Sequence, residues 1–256
     1  MPLAPDSRLP TPDYLLHLAD NALILGHRNS EWCGHGPILE QDIAITNISL
    51  DLIGQSRYLY QYAASIMGEG ATEDSLAYLR DVREFKNYLL LELPKGDWAV
   101  TVLRQYFFSQ FQILQYRALQ QKQDIQLSAI AEKAIKETVY HLRWSKEWVI
   151  RLGDGTEESS RRMNKAVDYL WSYTGELFMP SKFEIACAET EIGVDPATLK
   201  DEWYASVQQV FAEAALTLPS QGWTQSGGKE GVHTEHLGFI LAELQFMQRA
   251  YPGNEW

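Results

Sequence analysis

Lys136-Glu137-Thr138-Val139-Tyr140-His141 lies in the middle of an amphipathic run from about Gln126 to Leu152. At helical spacing Ile130, Ala134, Thr138, His141, Ser145 and Trp148 share one largely apolar stripe, while Lys133, Lys136, Arg143 and Lys146 fall on other faces. His141 therefore points inward. An inward His three residues after a Glu is half of a di-iron carboxylate site, because side chains at i and i+3 converge on one ion. Here Thr138 stands where that Glu would be. The stretch reads as a long core helix whose metal-ligand pair is broken.

Working outward, the same helical grammar covers the chain. Asp97 caps a helix from Trp98 to about Gln121 whose aromatics, Trp98, Tyr106, Phe107, Phe108, Phe111 and Tyr116, read as core. Thr11-Pro12-Asp13 opens a first helix to about Arg28, with Leu15, Leu18, Ala22 and Leu25 inward. A Gly- and Pro-containing connector, 29–37, leads to a helix from Ile38 to Met67 with the stripe Ile45, Ile48, Leu52, Gln55, Leu59. Residues 73–92 read as a shorter, broken helical pair. After the central run, Thr156 caps a helix to Phe178, Ser181 a shorter one to about Glu191, and Asp195-Pro196 one to about Leu216. Residues 220–231 form a polar loop, and Thr234 caps a last helix to Tyr251. No strand alternation and no repeat is visible. The predicted fold is all-α: a flexible Pro-rich tail at 1–12, then one helical domain over 13–256, a bundle with additional C-terminal helices.

With 256 residues and 45% hydrophobic content, the chain can bury a core without a disulfide or metal. No apolar run approaches the roughly 18 residues needed to span a bilayer. A net charge of −12 argues against sequence-independent nucleic-acid binding. Cys33 and Cys187, far apart and without CxxC spacing, read as buried free thiols in a reducing cytoplasm.

Motifs for independent chemistry are few. Among six histidines the one Glu-x-x-His is Glu230 to His233, in a Gly-containing segment at a helix start, and His233 and His236 read as surface histidines around a cap. Gly228-Lys229 is followed by Glu230 where a phosphate loop needs Ser or Thr. No Gly-x-Ser-x-Gly elbow occurs.

Several long motifs resemble a known family. Leu23 to Gly36, containing Glu31-Trp32-Cys33-Gly34-His35, then Ser49-Leu50-Asp51-Leu52-Ile53-Gly54-Gln55, then Ala134-Ile135-Lys136-Glu137 with Tyr140-His141-Leu142-Arg143, carry the likeness. Gly227-Gly228-Lys229 with His233-Thr234-Glu235-His236-Leu237-Gly238 completes it. Together they resemble the C subunits of bacterial ring-1,2-phenylacetyl-CoA epoxidases, multicomponent di-iron monooxygenases of phenylacetate degradation. The resemblance implies a ferritin-like fold and a cytoplasmic, non-catalytic subunit needed for assembly. It implies as partners the other epoxidase subunits, above all a homologous ferritin-like chain that is the catalytic one. That chain would hold the di-iron centre and epoxidise the ring of phenylacetyl-CoA with O2 and reductase electrons.

Placed on this chain, the metal-ligand pattern of the homologous catalytic chain falls on Ala22, Leu52, Gln55, Ser109, Thr138 and His141, where only His141 keeps a ligand type. Without the carboxylates no iron is expected here, and no cofactor in this chain. Gln55, Ser109, Thr138 and His141 are instead expected to form a neutral hydrogen-bonded cluster. The resemblance also implies contact with the CoA thioester through Glu84, Phe85, Lys86 and Asn87 and through Ile185, Ala186 and Cys187. Arg80, Arg83 and Lys86 form a local basic cluster in the sequence, suited to a nucleotide's phosphates. The alternatives are a self-sufficient ferritin-like metalloenzyme or iron-handling protein, and a helical interaction protein without a monooxygenase link.

Overall fold

A computed structural model describes residues 9–68, 70–220 and 222–254. These described residues group into two compact units, 9–94 with 227–254, and 95–226. Among the described residues every regular element is helical.

The first unit is built on an antiparallel hairpin. Helix α1 (Pro12–Ser30) starts where Thr11 Oγ1 accepts the Tyr14 N–H, with Pro12 in the first turn. Helix α2 (Leu39–Met67) stops at Gly68, whose φ of +64° ends the helix. Gly26 of α1 lies flush on α2, where a Cβ would stand 3.2 Å from Ile53 and 3.4 Å from Leu52. Asp42 reaches back from the first turn of α2 to accept the N–H groups of Gly34 (3.1 Å) and Gly36 (2.9 Å), which fixes the connector. The predicted stripe of α2, Ile45 to Leu59 including Gln55, is buried. Helix α3 (Glu73–Tyr78), a single turn at Val82–Glu84 and the one-turn helix α4 (Leu89–Glu92) form the broken region expected from sequence.

In the second unit α5 (Trp98–Leu119) pairs antiparallel with α6 (Ile125–Gly153): Trp98 meets Trp144 edge-on at 5.9 Å, and Ser128 Oγ donates to the Gln120 carbonyl near the turn. Each helix is capped by an Asp, Asp97 and Asp124. The buried stripe of α6 is Leu127, Ala131, Ala134, Thr138, His141, Ser145 and Val149, with Trp144 beside it. The centre thus matches the sequence reading, while Ile130 and Trp148 lie half-buried at its border. Of the α5 aromatics, Tyr106, Phe107, Phe108, Phe111 and Tyr116 are core, as expected, while Trp98 at the helix start is half-buried.

Helix α7 (Glu157–Leu170) is shorter than predicted. The Ser172 carbonyl accepts the Gln225 N–H (2.8 Å) and Gly175 sits against Thr224, so residues 171–178 form two tight turns rather than helix. Helix α8 (Lys182–Glu189) ends before the left-handed Glu191, and α9 (Lys200–Glu213) follows a turn at Pro196–Leu199. Trp203 of α9 donates from Nε1 to the Phe107 carbonyl (2.9 Å) and packs on Phe107 and Phe178. In the first unit, α10 (Glu235–Ala250) is capped by Thr234.

Long antiparallel hairpins followed by further helices make the fold all-α and ferritin-like in its elements. Of the predicted tail, residues 1–8 lie outside the described residues, Pro10 is buried and Pro12 already belongs to α1. Cys33 is exposed, against expectation, because the connector carries it outward; Cys187 is buried.

Candidate functional site

Residues 80–92 hold most of the charged side chains singled out for ligand contact, and the structure turns several of them inward. Arg80 is buried. Its Nη1 donates to Asp20 Oδ2 (3.1 Å) and the Glu84 carbonyl (3.0 Å), and its Nη2 to Asp20 Oδ1 and the Tyr60 hydroxyl. Asp20 also accepts from the Tyr60 hydroxyl and from the Lys86 N–H (2.8 Å). Burial disfavours charge on Arg80, yet the charge and hydrogen bond of Asp20 together with Tyr60 and Glu84 outweigh this and keep the guanidinium protonated. Burial and the Asp20 charge likewise push the Tyr60 hydroxyl well above its ordinary pKa.

The basic cluster of Arg80, Arg83 and Lys86 is therefore not a surface patch. Arg80 is consumed by a buried ion pair and lies 4.2 Å over the Phe85 ring. Arg83 is exposed, and Lys86 Nζ lies 3.6 Å from Asp13. In Glu84-Phe85-Lys86-Asn87, Phe85 and Asn87 are fully buried, and Glu84 accepts the Asp81 N–H (2.6 Å) in the turn. What faces outward is Arg83, Glu84 and part of Lys86. In the second unit, on α8, Ile185 and Ala186 are exposed whereas Cys187 is buried.

Sequence reasoning missed the polar residues that hold this segment. Glu92 is buried and accepts from Asn87 Nδ2 (2.9 Å), the Thr234 N–H (2.6 Å) and His233 Nδ1 (2.8 Å). Arg28 donates to the Glu92 carbonyl from Nε (3.1 Å) and Nη2 (2.7 Å). His17 is buried, with Nδ1 at 2.6 Å from the Lys86 carbonyl. His233 is inward too, correcting the surface reading, and exposed Glu230 does not converge with it. The signal was present: single acids inside apolar runs, Leu-Leu-Leu-Glu92-Leu and Leu-Ala-Asp20-Asn-Ala, are buried only when paired.

The six positions aligned with metal ligands are all buried. Ala22, one turn before Gly26, faces α2, which carries Leu52 and Gln55. In the second unit Ser109 accepts from Gln105 Nε2 (2.8 Å), while Thr138 spends its hydroxyl hydrogen on the Ala134 carbonyl of its own helix (2.9 Å). Those two hydroxyls thus each make a hydrogen bond within their own helix. As a donor set, one imidazole, hydroxyls and an amide do not fit a pair of iron ions, whose charge needs carboxylates. Among the described residues no three His, Cys, Asp or Glu side chains group where a metal could sit. None of the described helices is long and apolar enough to cross a membrane.

Over 243 residues the chain is 49% identical to the C subunit of the 1,2-phenylacetyl-CoA epoxidase of Escherichia coli (strain K12), covering 95% of this chain and 98% of that relative. A family profile described as phenylacetic acid catabolic protein matches residues 3–256. This chain belongs to that family of phenylacetic acid catabolic proteins.

Proposed function

We propose that this chain is the non-catalytic structural and assembly component of a phenylacetyl-CoA 1,2-epoxidase, seated beside a homologous ferritin-like chain that carries the di-iron centre. The observation that carries this reading is the 49% identity to an epoxidase C subunit over nearly the full length of both chains. Two features support it. The six positions corresponding to metal ligands hold no carboxylate and are packed or hydrogen-bonded. On α2, opposite its core stripe, Leu39 (72% exposed), Ile43 and Leu50 (62%) form an exposed apolar line over the N-terminal part of the helix, a surface suited to a neighbouring chain of the complex.

The test is co-expression with the homologous ferritin-like chain, followed by iron analysis of each chain separately. Iron is expected in the partner, co-purification with wild type, and loss of co-purification with Leu50→Glu. Stoichiometric iron in this chain alone would overturn the reading.

Contact with the CoA moiety belongs to the same proposal, through the outward-facing Arg83 and Lys86 of the first unit. Replacing Arg83 and Lys86 together by Glu is expected to raise KM for phenylacetyl-CoA in the assembled complex about tenfold with kcat unchanged, the loss of two charge-assisted phosphate contacts. An unchanged KM removes this part of the reading and leaves the assembly role standing.

A further inference from the structure

The segment 227–236, which leads into α10, lies flush against residues 83–92. A Cβ on Gly228 would stand 2.1 Å from the Asn87 carbonyl oxygen, and one on Gly231, at φ +77°, 2.2 Å from that of Arg83. At the end of this contact His233 is enclosed, its side chain 1% exposed against a fully buried Glu92. Each of its ring nitrogens meets an acceptor: Nδ1 is 2.8 Å from Glu92 Oε2, and Nε2 is 2.9 Å from the Phe85 carbonyl. A neutral imidazole carries one N–H and can satisfy only one of the two; the other contact would set a ring lone pair against an oxygen lone pair. An imidazolium satisfies both.

We propose that His233 is a proton-dependent latch: its imidazolium, bridging Glu92 and the Phe85 carbonyl, holds the 227–236 segment and the start of α10 closed, and loss of the proton opens it. The charged groups around it are accounted for on every packed element. From α1, Arg28 donates to the Glu92 main chain, Asp20 is occupied by Arg80, and His17 contacts the Lys86 carbonyl. From the turn before α10, Lys229 lies 4.9 Å over the Tyr88 ring. From α10 itself, exposed Glu235 and half-exposed His236 follow the Thr234 cap. Burial lowers the affinity of His233 for its proton, while the Glu92 hydrogen bond and charge, the Phe85 carbonyl and Asp20 together outweigh that. The latch therefore stays closed to a higher pH than a free imidazole would keep its proton, and opens as pH rises through the folded pKa.

The test is hydrogen exchange of the full chain at pH 6 and pH 9, corrected for intrinsic exchange rates, with NMR titration of the His233 ring in wild type. Expected are at least tenfold less protection of peptides covering 227–240 at pH 9, and a His233 pKa above that of a free imidazole. In His233→Gln the same peptides should be poorly protected at both pH values. Equal protection of wild type at both pH values, or a His233 that is neutral at pH 6, overturns the latch. Because the decisive readings are on wild type, a variant that fails to fold does not shield the proposal.

Discussion

Arg80 and Asp20 form a buried ion pair that joins the loop after α3 to the middle of α1, with the Tyr60 hydroxyl of α2 as third member. Taking charges out of water costs several kcal/mol per ion, which the pair recovers only while both partners are present. Removing one leaves the other charge uncompensated. Arg80→Ala and Asp20→Ala are each expected to lower stability by about 3–5 kcal/mol, with the double variant losing less than the sum of the two. Urea unfolding monitored by circular dichroism measures this. If Arg80 instead served a ligand, its removal would leave stability unchanged and alter only the KM of the complex.

Gly228 and Gly231 place the 227–236 segment so close to residues 83–87 that no side chain fits between them. Gly228→Ala forces its methyl into the Asn87 carbonyl oxygen, and overpacking of this kind costs about 1–3 kcal/mol. Gly231→Ala adds the strain of an L-residue at φ +77°. Thermal unfolding should rank wild type above Gly228→Ala and Gly231→Ala, with Gly238→Ala, which has open space around it, close to wild type.

The Asp42 carboxylate, bonded to the N–H groups of Gly36 and Gly34, is held below the usual carboxylate range mainly by those two bonds. A folded pKa below the unfolded one means that its contribution is present above the ordinary Asp value of about 3.9 and is lost as pH falls through the folded pKa. The Gly34 and Gly36 amide resonances should therefore titrate together, with a midpoint below that of a free Asp. In Asp42→Asn both amides should show no such step.

Helix positions were legible because capping and periodicity are local: Thr11, Asp97, Thr156, Ser181 and Thr234 each cap the helix that the sequence places after them. The break at Leu170 was not, since it depends on Gln225, far along the chain, bonding the Ser172 carbonyl. The polar core of the first unit failed for the same reason. Arg80 next to Arg83 and Lys86 looks like one cationic patch until Asp20, sixty residues away, selects one of the three. His233 shows the limit most clearly: a cap histidine in sequence is an interior one in space because Glu92 is waiting for it.

Restoring a ligand type at a single position should not restore a metal site. Leu52 is fully buried on α2, facing α1 where Gly26 approaches within contact of its Cβ. A Glu there brings a carboxylate into apolar packing with no cation to neutralise it, so it either takes up a proton or pulls the helix outward. Thr138→Glu meets the same obstacle on α6, where it also abolishes the bond to the Ala134 carbonyl. Each variant is expected to lose about 3 kcal/mol or more of stability and to bind no stoichiometric iron, because one added carboxylate still leaves the pair of ions short of anionic oxygens. Unfolding curves and metal analysis on the same preparations decide it: iron bound one-to-one or better by either variant, with stability rising on iron addition, would mean that the site needs only one ligand to work.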